Sequence, residues 1–161
     1  NGPIPYGYYG LGELFVFVFF GLVATAGTRY VFDRSIEVGV WPGGIAMGLL
    51  ASAILLANNI RDIETDEQSG KRTLAVVVGR PAAVALFAVC VLGALLIPAA
   101  AVVVDWLPAG ALLTLLAIPI GLPLIRRIHV ERQGPGLIKV LKGTARLQLI
   151  AAVLLGIGIL I

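Results

Sequence analysis

PAAVALFAVCVLGALLIPAAAVVV, residues 81–104, runs for 24 positions without an Asp, Glu, Lys or Arg. A helix rising about 1.5 Å per residue would carry it roughly 36 Å, enough to cross a hydrocarbon core of about 30 Å. The run is continuously apolar rather than alternating, which excludes a membrane β-strand. Four further stretches lack acidic and basic residues: 14–28, 38–60, 106–125 and 147–161. The three middle runs reach spanning length unaided. The first needs Leu11 to Glu13 or an extension to Phe32. The last is expected to begin near Leu137, with Lys139, Lys142 and Arg146 snorkelling at the interface. The expectation is an all-α integral membrane protein with spans at approximately 11–32, 40–60, 81–104, 107–125 and 138–161.

Composition agrees. Hydrophobic residues make up 59% of the chain and charged residues 13%, against about 25% charged in soluble domains, and the mean hydropathy is +1.00. The one cysteine, Cys90, lies in an apolar run, so neither an intrachain disulfide nor a thiolate metal site is available. A net charge of +3 could suggest nucleic acid, but its distribution argues for a lipid bilayer instead. Ten of the twelve basic residues fall in two segments, Arg61 to Arg80 and Arg126 to Arg146; the other two are Arg29 and Arg34. Two spans joined at Asp105 separate those segments, so both lie on one side, and the positive-inside rule makes it the cytoplasmic side; the expected location is the plasma membrane. Gly44 and Gly48 have the spacing that admits a close helix neighbour. Pro98, Pro119 and Pro123 are expected to kink their spans. The first residue is not Met and no secretory signal pattern follows, so the chain is expected to begin partway through a domain.

Chemistry concentrates in Asn58-Asn59-Ile60-Arg61-Asp62-Ile63-Glu64-Thr65-Asp66, followed by Gly70-Lys71-Arg72-Thr73. If the helix continues past the second span, steps of four place Asn58, Asp62 and Asp66 on one stripe. Glu64 is turned away from it. Magnesium takes oxygen ligands and is commonly held by one or two carboxylates plus phosphate and water, which makes Asp62 and Asp66 the candidate metal ligands. Lys71 and Arg72 are candidates to meet a diphosphate. The ordinary alternative is a solvated loop in which Asp62 pairs with Arg61 and Asp66 with Lys71. Tyr6, Tyr8 and Tyr9 are candidates for an aromatic pocket, although tyrosine is also common at membrane interfaces. Glu13, near the start of a span, is expected to face the bundle. His129 has no second histidine near it and reads as an ordinary loop residue.

The stretch from Asn58 to Asp66 with Gly70 to Ala75 resembles the second Asp-rich motif of UbiA-type aromatic prenyltransferases. The opening residues Gly2 to Glu13, with Phe15 to Gly21, are similar to the menaquinone-pathway branch, which attaches a polyprenyl chain to 1,4-dihydroxy-2-naphthoate with loss of carbon dioxide. The resemblance implies a nine-helix bundle of which this chain matches the later five. It also implies a prenyl diphosphate donor, an aromatic acceptor and Mg2+ held at Asp62 and Asp66, with Asn58, Lys71 and Arg72 at the diphosphate and Tyr6, Tyr8, Tyr9 and Glu13 toward the acceptor. The first Asp-rich motif has no counterpart in these residues, so the resemblance further implies preceding helices that carry it, and a chain inactive by itself. Other aromatic acceptors, part of a secondary transporter and a purely structural membrane subunit are the rival readings.

Overall fold

The computed structural model describes residues 9–132 and 134–161. Tyr6 and Tyr8 lie outside them. Among the described residues five helices are long and apolar enough to cross a membrane: α1 (Gly12–Asp33), α2 (Val40–Arg61), α4 (Leu74–Val103), α5 (Ala109–Val130) and α6 (Pro135–Leu160). A short helix, α3 (Ile63–Gln68), joins α2 to α4. The architecture is the expected all-α membrane bundle.

Central helix α2 packs against α1, α4 and α6. Its Ala46, Leu50, Ala53, Leu56 and Ala57 are buried together with Phe87, Val91 and Leu95 of α4 and Leu147 and Ala151 of α6. The alternation of alanine with leucine lets α2 sit close to several partners at once. By contrast α1 is largely uncovered, with Phe19, Phe20, Val31 and Phe32 all exposed. Such an apolar exterior is what a helix facing lipid requires.

Backbone contact replaces side-chain packing where α1 meets α2. A Cβ on Gly21 would lie 2.5 Å from the Gly48 Cα and 2.6 Å from the Gly44 carbonyl oxygen. The expected close neighbour of Gly44 and Gly48 is therefore Gly21. This contact lies in a π-helical stretch, Phe17–Val23, inside α1. At the far end of the bundle Gly110 and Gly158 bring the start of α5 and the end of α6 together in the same manner.

The expected proline kinks are corrected in part. Pro98 sits within helical backbone, and the break in α4 falls at Gly79, with φ 77° and ψ 159°. Gly79 reaches the left-handed half of the map without a Cβ penalty. Pro81 then stands in the first turn of the renewed helix, where its missing N–H costs nothing. Helix begins at Leu74, seven residues before the expected start of this span at residue 81. In α5 the first turns, Ala109–Ala117, are 3₁₀, and Pro119 marks the change to α geometry. The helix outlasts its expected end at residue 125 and carries Arg126, Arg127 and His129 beyond the apolar run.

Candidate active site

Helix α2 ends at Arg61, and Asp62 caps it with φ −99° and ψ 8°. The helical hydrogen bonds nevertheless continue across the cap: Asp62 N–H donates to Asn58 O at 3.1 Å and Asp66 N–H to Asp62 O at 2.8 Å. The four-residue register linking Asn58, Asp62 and Asp66 survives the change of helix.

Two small clusters result. In the first, Arg61 grips Asp62 with two parallel bonds, Nε to Oδ1 and Nη2 to Oδ2, both 2.7 Å. The same Nη2 donates to Asn58 Oδ1 at 3.0 Å, and Asn58 Nδ2 lies 3.4 Å from Asp62 Oδ2. Fork-on-carboxylate geometry of this kind is the strong form of ion pair. In the second, Lys71 Nζ stands 3.2 and 3.4 Å from the two Asp66 oxygens, and Thr73 Oγ1 donates to Asp66 Oδ2 at 3.4 Å.

The turn between α3 and α4 explains the second cluster. Gly70 has φ +73°; its N–H donates to Glu67 O, and the Lys71 N–H donates to Asp66 O at 2.8 Å. Those two bonds form a Schellman motif, which ends a helix on a left-handed glycine and satisfies its last carbonyls. The reversal carries Lys71 back over Asp66. Both pairs of the solvated-loop alternative are thus made, but the loop is not solvated at Asp66, which is only 8% exposed. Glu64 is exposed, as the helical-face argument expects.

Glu13 is buried at the start of α1, as expected, and its partner is a residue the sequence argument passed over. Glu13 Oε1 accepts a 2.8 Å bond from Asn59 Nδ2, and its backbone oxygen accepts one of 2.9 Å from Ser52 Oγ. Among the described residues its Oε2 is buried without a hydrogen-bond partner. Ser52 and Asn59 are seven residues apart, two helical turns, so they present one polar face of α2 to α1. Their position in an otherwise apolar run was the available signal.

Arg72 and Tyr9 are both exposed, and their backbones pair as an isolated parallel bridge. The segment entering α1 therefore runs beside the segment entering α4. Arg80, across the Gly79 break, donates to the Ile128 carbonyl at 3.1 Å and to that of Glu131. The two basic segments consequently share one end of the bundle. A groove of about 920 Å³ opens at the opposite end, beside Arg29 and Trp106, away from Asp62 and Asp66.

The donor set at Asp62, Asp66 and Asn58 is entirely oxygen, which suits a hard divalent cation such as Mg2+. Among the described residues no three His, Cys, Asp or Glu side chains gather into a metal site. A cation here would need phosphate, water or other protein groups to complete its shell.

Comparison with known proteins identifies the relationship. The UbiA prenyltransferase family matches residues 3–145. The chain is 40% identical over 153 residues to the 1,4-dihydroxy-2-naphthoate octaprenyltransferase of Mycobacterium leprae, covering 92% of this chain and 50% of that protein. It is 29% identical to the Bacillus subtilis protein of the same name over 161 residues, all of this chain and 52% of the other. The 2-carboxy-1,4-naphthoquinone phytyltransferase of Synechocystis is 27% identical over 133 residues, 83% of this chain and 43% of its own length. No solved structure matches. The chain spans about half the length of the relatives it matches, and it belongs to the UbiA prenyltransferase family.

Proposed function

We propose that this chain forms the later part of a prenyltransferase of the menaquinone pathway, which moves a polyprenyl group from its diphosphate to 1,4-dihydroxy-2-naphthoate with decarboxylation, giving demethylmenaquinone. The observation that carries the reading is the Asn58-Asp62-Asp66 register at the end of α2, with Arg61 and Lys71 bonded to its two carboxylates. The names of the relatives supply the acceptor class. Residues 1–161 form one part of a single domain in this reading, and helices preceding them contribute a further Asp-rich segment.

Asp62 and Asp66 would hold Mg2+, with the Asn58 carbonyl as an additional oxygen. Bound there, the metal supplies Lewis-acid stabilisation of the negative charge on a departing diphosphate. The chain's own cations complement it. Lys71 and Arg61 pair with the carboxylates, and a diphosphate would draw them as its charge arrives. Arg72, exposed one residue beyond, extends the positive rim. The apolar helices around the site exclude the water that would quench an allylic cation and offer a lipid tail a matching solvent. The site faces the cytoplasm in this reading, because the basic segments lie at its end.

The decisive experiment measures turnover against magnesium concentration in the complete protein for Asp62→Asn, Asp66→Asn and Glu64→Gln. The Asp variants remove a unit charge with little change of shape. Loss of several kcal/mol of Lewis-acid stabilisation corresponds to a rate loss of about a hundredfold or more. Glu64→Gln should retain activity. Full activity in both Asp variants would remove them from the mechanism, and equal damage in Glu64→Gln would show the wrong ligand face.

A further inference from the structure

The basic run from Arg126 to Arg146 contributes no ligand to the carboxylate site, and α6 arranges part of it with a regularity that topology alone does not require. At about 100° per residue, Lys139, Lys142, Arg146, Leu149, Val153 and Ile157 fall within a stripe roughly 80° wide. All six are exposed. The opposite face, with Leu137, Val140, Thr144, Leu147 and Ala151, is buried in the bundle. The stripe therefore has two parts in line, three cations at one end and an apolar track continuing toward the other.

We propose that this face of α6 is a binding site for an anionic phospholipid, with the headgroup phosphate on Lys139, Lys142 and Arg146 and the acyl chains along Leu149, Val153 and Ile157. Length supports it. From Arg146 to Ile157 the helix rises roughly 16 Å, close to half of the ~30 Å hydrocarbon thickness, the depth that one leaflet's chains occupy. Charge supports it too. None of the three cations joins an ion pair or a side-chain hydrogen bond among the described residues. On the neighbouring helix α5, Leu124 abuts Gly143, and Arg126 and Arg127, two and three residues further on, are exposed as well.

A free phosphate would satisfy the cations and leave the track unused. A second copy of the chain, packed in parallel through the same face, would set three cations against three at one depth, an unfavourable pairing. An anionic lipid meets both halves of the stripe, since basic residues near a membrane surface each add to attraction for acidic headgroups.

The test places a fluorescent reporter on the track. Leu149→Trp in the complete protein is reconstituted in phosphatidylcholine vesicles containing brominated phosphatidylglycerol or brominated phosphatidylcholine, and the signal of the parent protein's own tryptophans, Trp41 and Trp106 among them, is subtracted. The anionic lipid should quench at a several-fold lower mole fraction than the zwitterionic one. Adding Lys139→Gln, Lys142→Gln and Arg146→Gln should erase the difference, and soluble glycerol phosphate should leave it intact. Equal quenching by the two lipids, or a preference that survives loss of the three charges, overturns the proposal. So does displacement by glycerol phosphate, which would mean a free-anion site, and absence of quenching by either lipid, which would mean that a protein surface, such as the preceding helices of the proposed domain, covers α6. Should Leu149→Trp fail to fold, native mass spectrometry of lipid retained by the unmodified protein and by the triple variant gives the same decision. Equal retention counts against the site.

Discussion

The two aspartates of the carboxylate motif occupy different surroundings. Asp62, at the end of α2, keeps a side chain 28% exposed and meets a guanidinium, whereas the Asp66 side chain is 11% exposed and meets an ammonium. Lysine is the more mobile partner, a point charge on a flexible stem, and arginine the more committed one. In the proposed function Lys71 is therefore the cation that would follow an incoming diphosphate, while Arg61 holds Asp62 in place. Arg72, adjacent in sequence, is tied to Tyr9 only through its backbone bridge. Lys71→Ala should raise the KM for the prenyl diphosphate by about tenfold, the scale of one charge-assisted contact, with Arg72→Ala weaker by severalfold. Steady-state kinetics with donor and acceptor varied separately checks this, and a change confined to the acceptor would contradict it. The Glu13–Asn59 bond is the other residue-scale feature with a consequence. Glu13→Ala leaves the Asn59 amide buried and unpaired, which costs about 1–3 kcal/mol. Glu13→Gln keeps a carbonyl oxygen for it. Thermal unfolding in lipid nanodiscs should rank Gln above Ala, and the reverse order would show that the carboxyl does not hold α1 to α2.

Among the elements, α2 does the positioning, since it touches α1, α4 and α6 and ends in the site. Its register against α1 is set at two levels, by Ser52 and Asn59 near the site and by Gly44 and Gly48 deeper in the bundle. A Cβ on Gly48 would meet the Phe17 carbonyl oxygen at 2.8 Å, so backbone rather than a flexible side chain would have to yield. Gly48→Leu should separate the two helices and lower activity together with stability. Cysteines introduced on facing turns of α1 and α2 should then crosslink more slowly, and an unchanged crosslinking rate would contradict the contact. The five spans were legible because hydrocarbon thickness sets a length and desolvation excludes charge, both properties of local sequence. The register of Asn58, Asp62 and Asp66 was legible for a similar reason, being a matter of helical period. Contacts between elements were not. Asn59 looks like a second copy of Asn58 in sequence, and only the packing of α1 sends one inward to Glu13 and leaves the other beside Asp62. The Gly79 break was not legible either, since the expectation placed the kink of this span at Pro98, which sits within helical backbone.

For the molecule as a whole, the contacts among the described residues that tie the charged segments together lie at one end: Glu13 to Asn59, Tyr9 to Arg72, and Arg80 to the carbonyls that close α5. The opposite end holds the Arg29, Asp33 and Glu37 cluster, with Arg29 2.6 Å from Asp33 and 3.3 Å from Glu37. Those pairings hold Arg29, and Arg34 is the other basic residue at that end, so the asymmetry is ten basic residues against two. Moving uncompensated Lys or Arg through the bilayer is what the positive-inside rule penalises, and acidic residues count for little in it. The basic end should therefore face the cytoplasm, with the carboxylate site on that side. Single cysteines at positions 71, 139 and 105 in a Cys90→Ser background report this directly, with a membrane-impermeant maleimide applied to sealed cells. The expected pattern is labelling at 105 alone until the membrane is opened, after which 71 and 139 react as well. Labelling of 71 and 139 in sealed cells would invert the molecule and put the proposed diphosphate site outside. A mixed pattern between 71 and 139 would break the bundle itself, because the Arg80 bonds to Ile128 and Glu131 require both segments on one side.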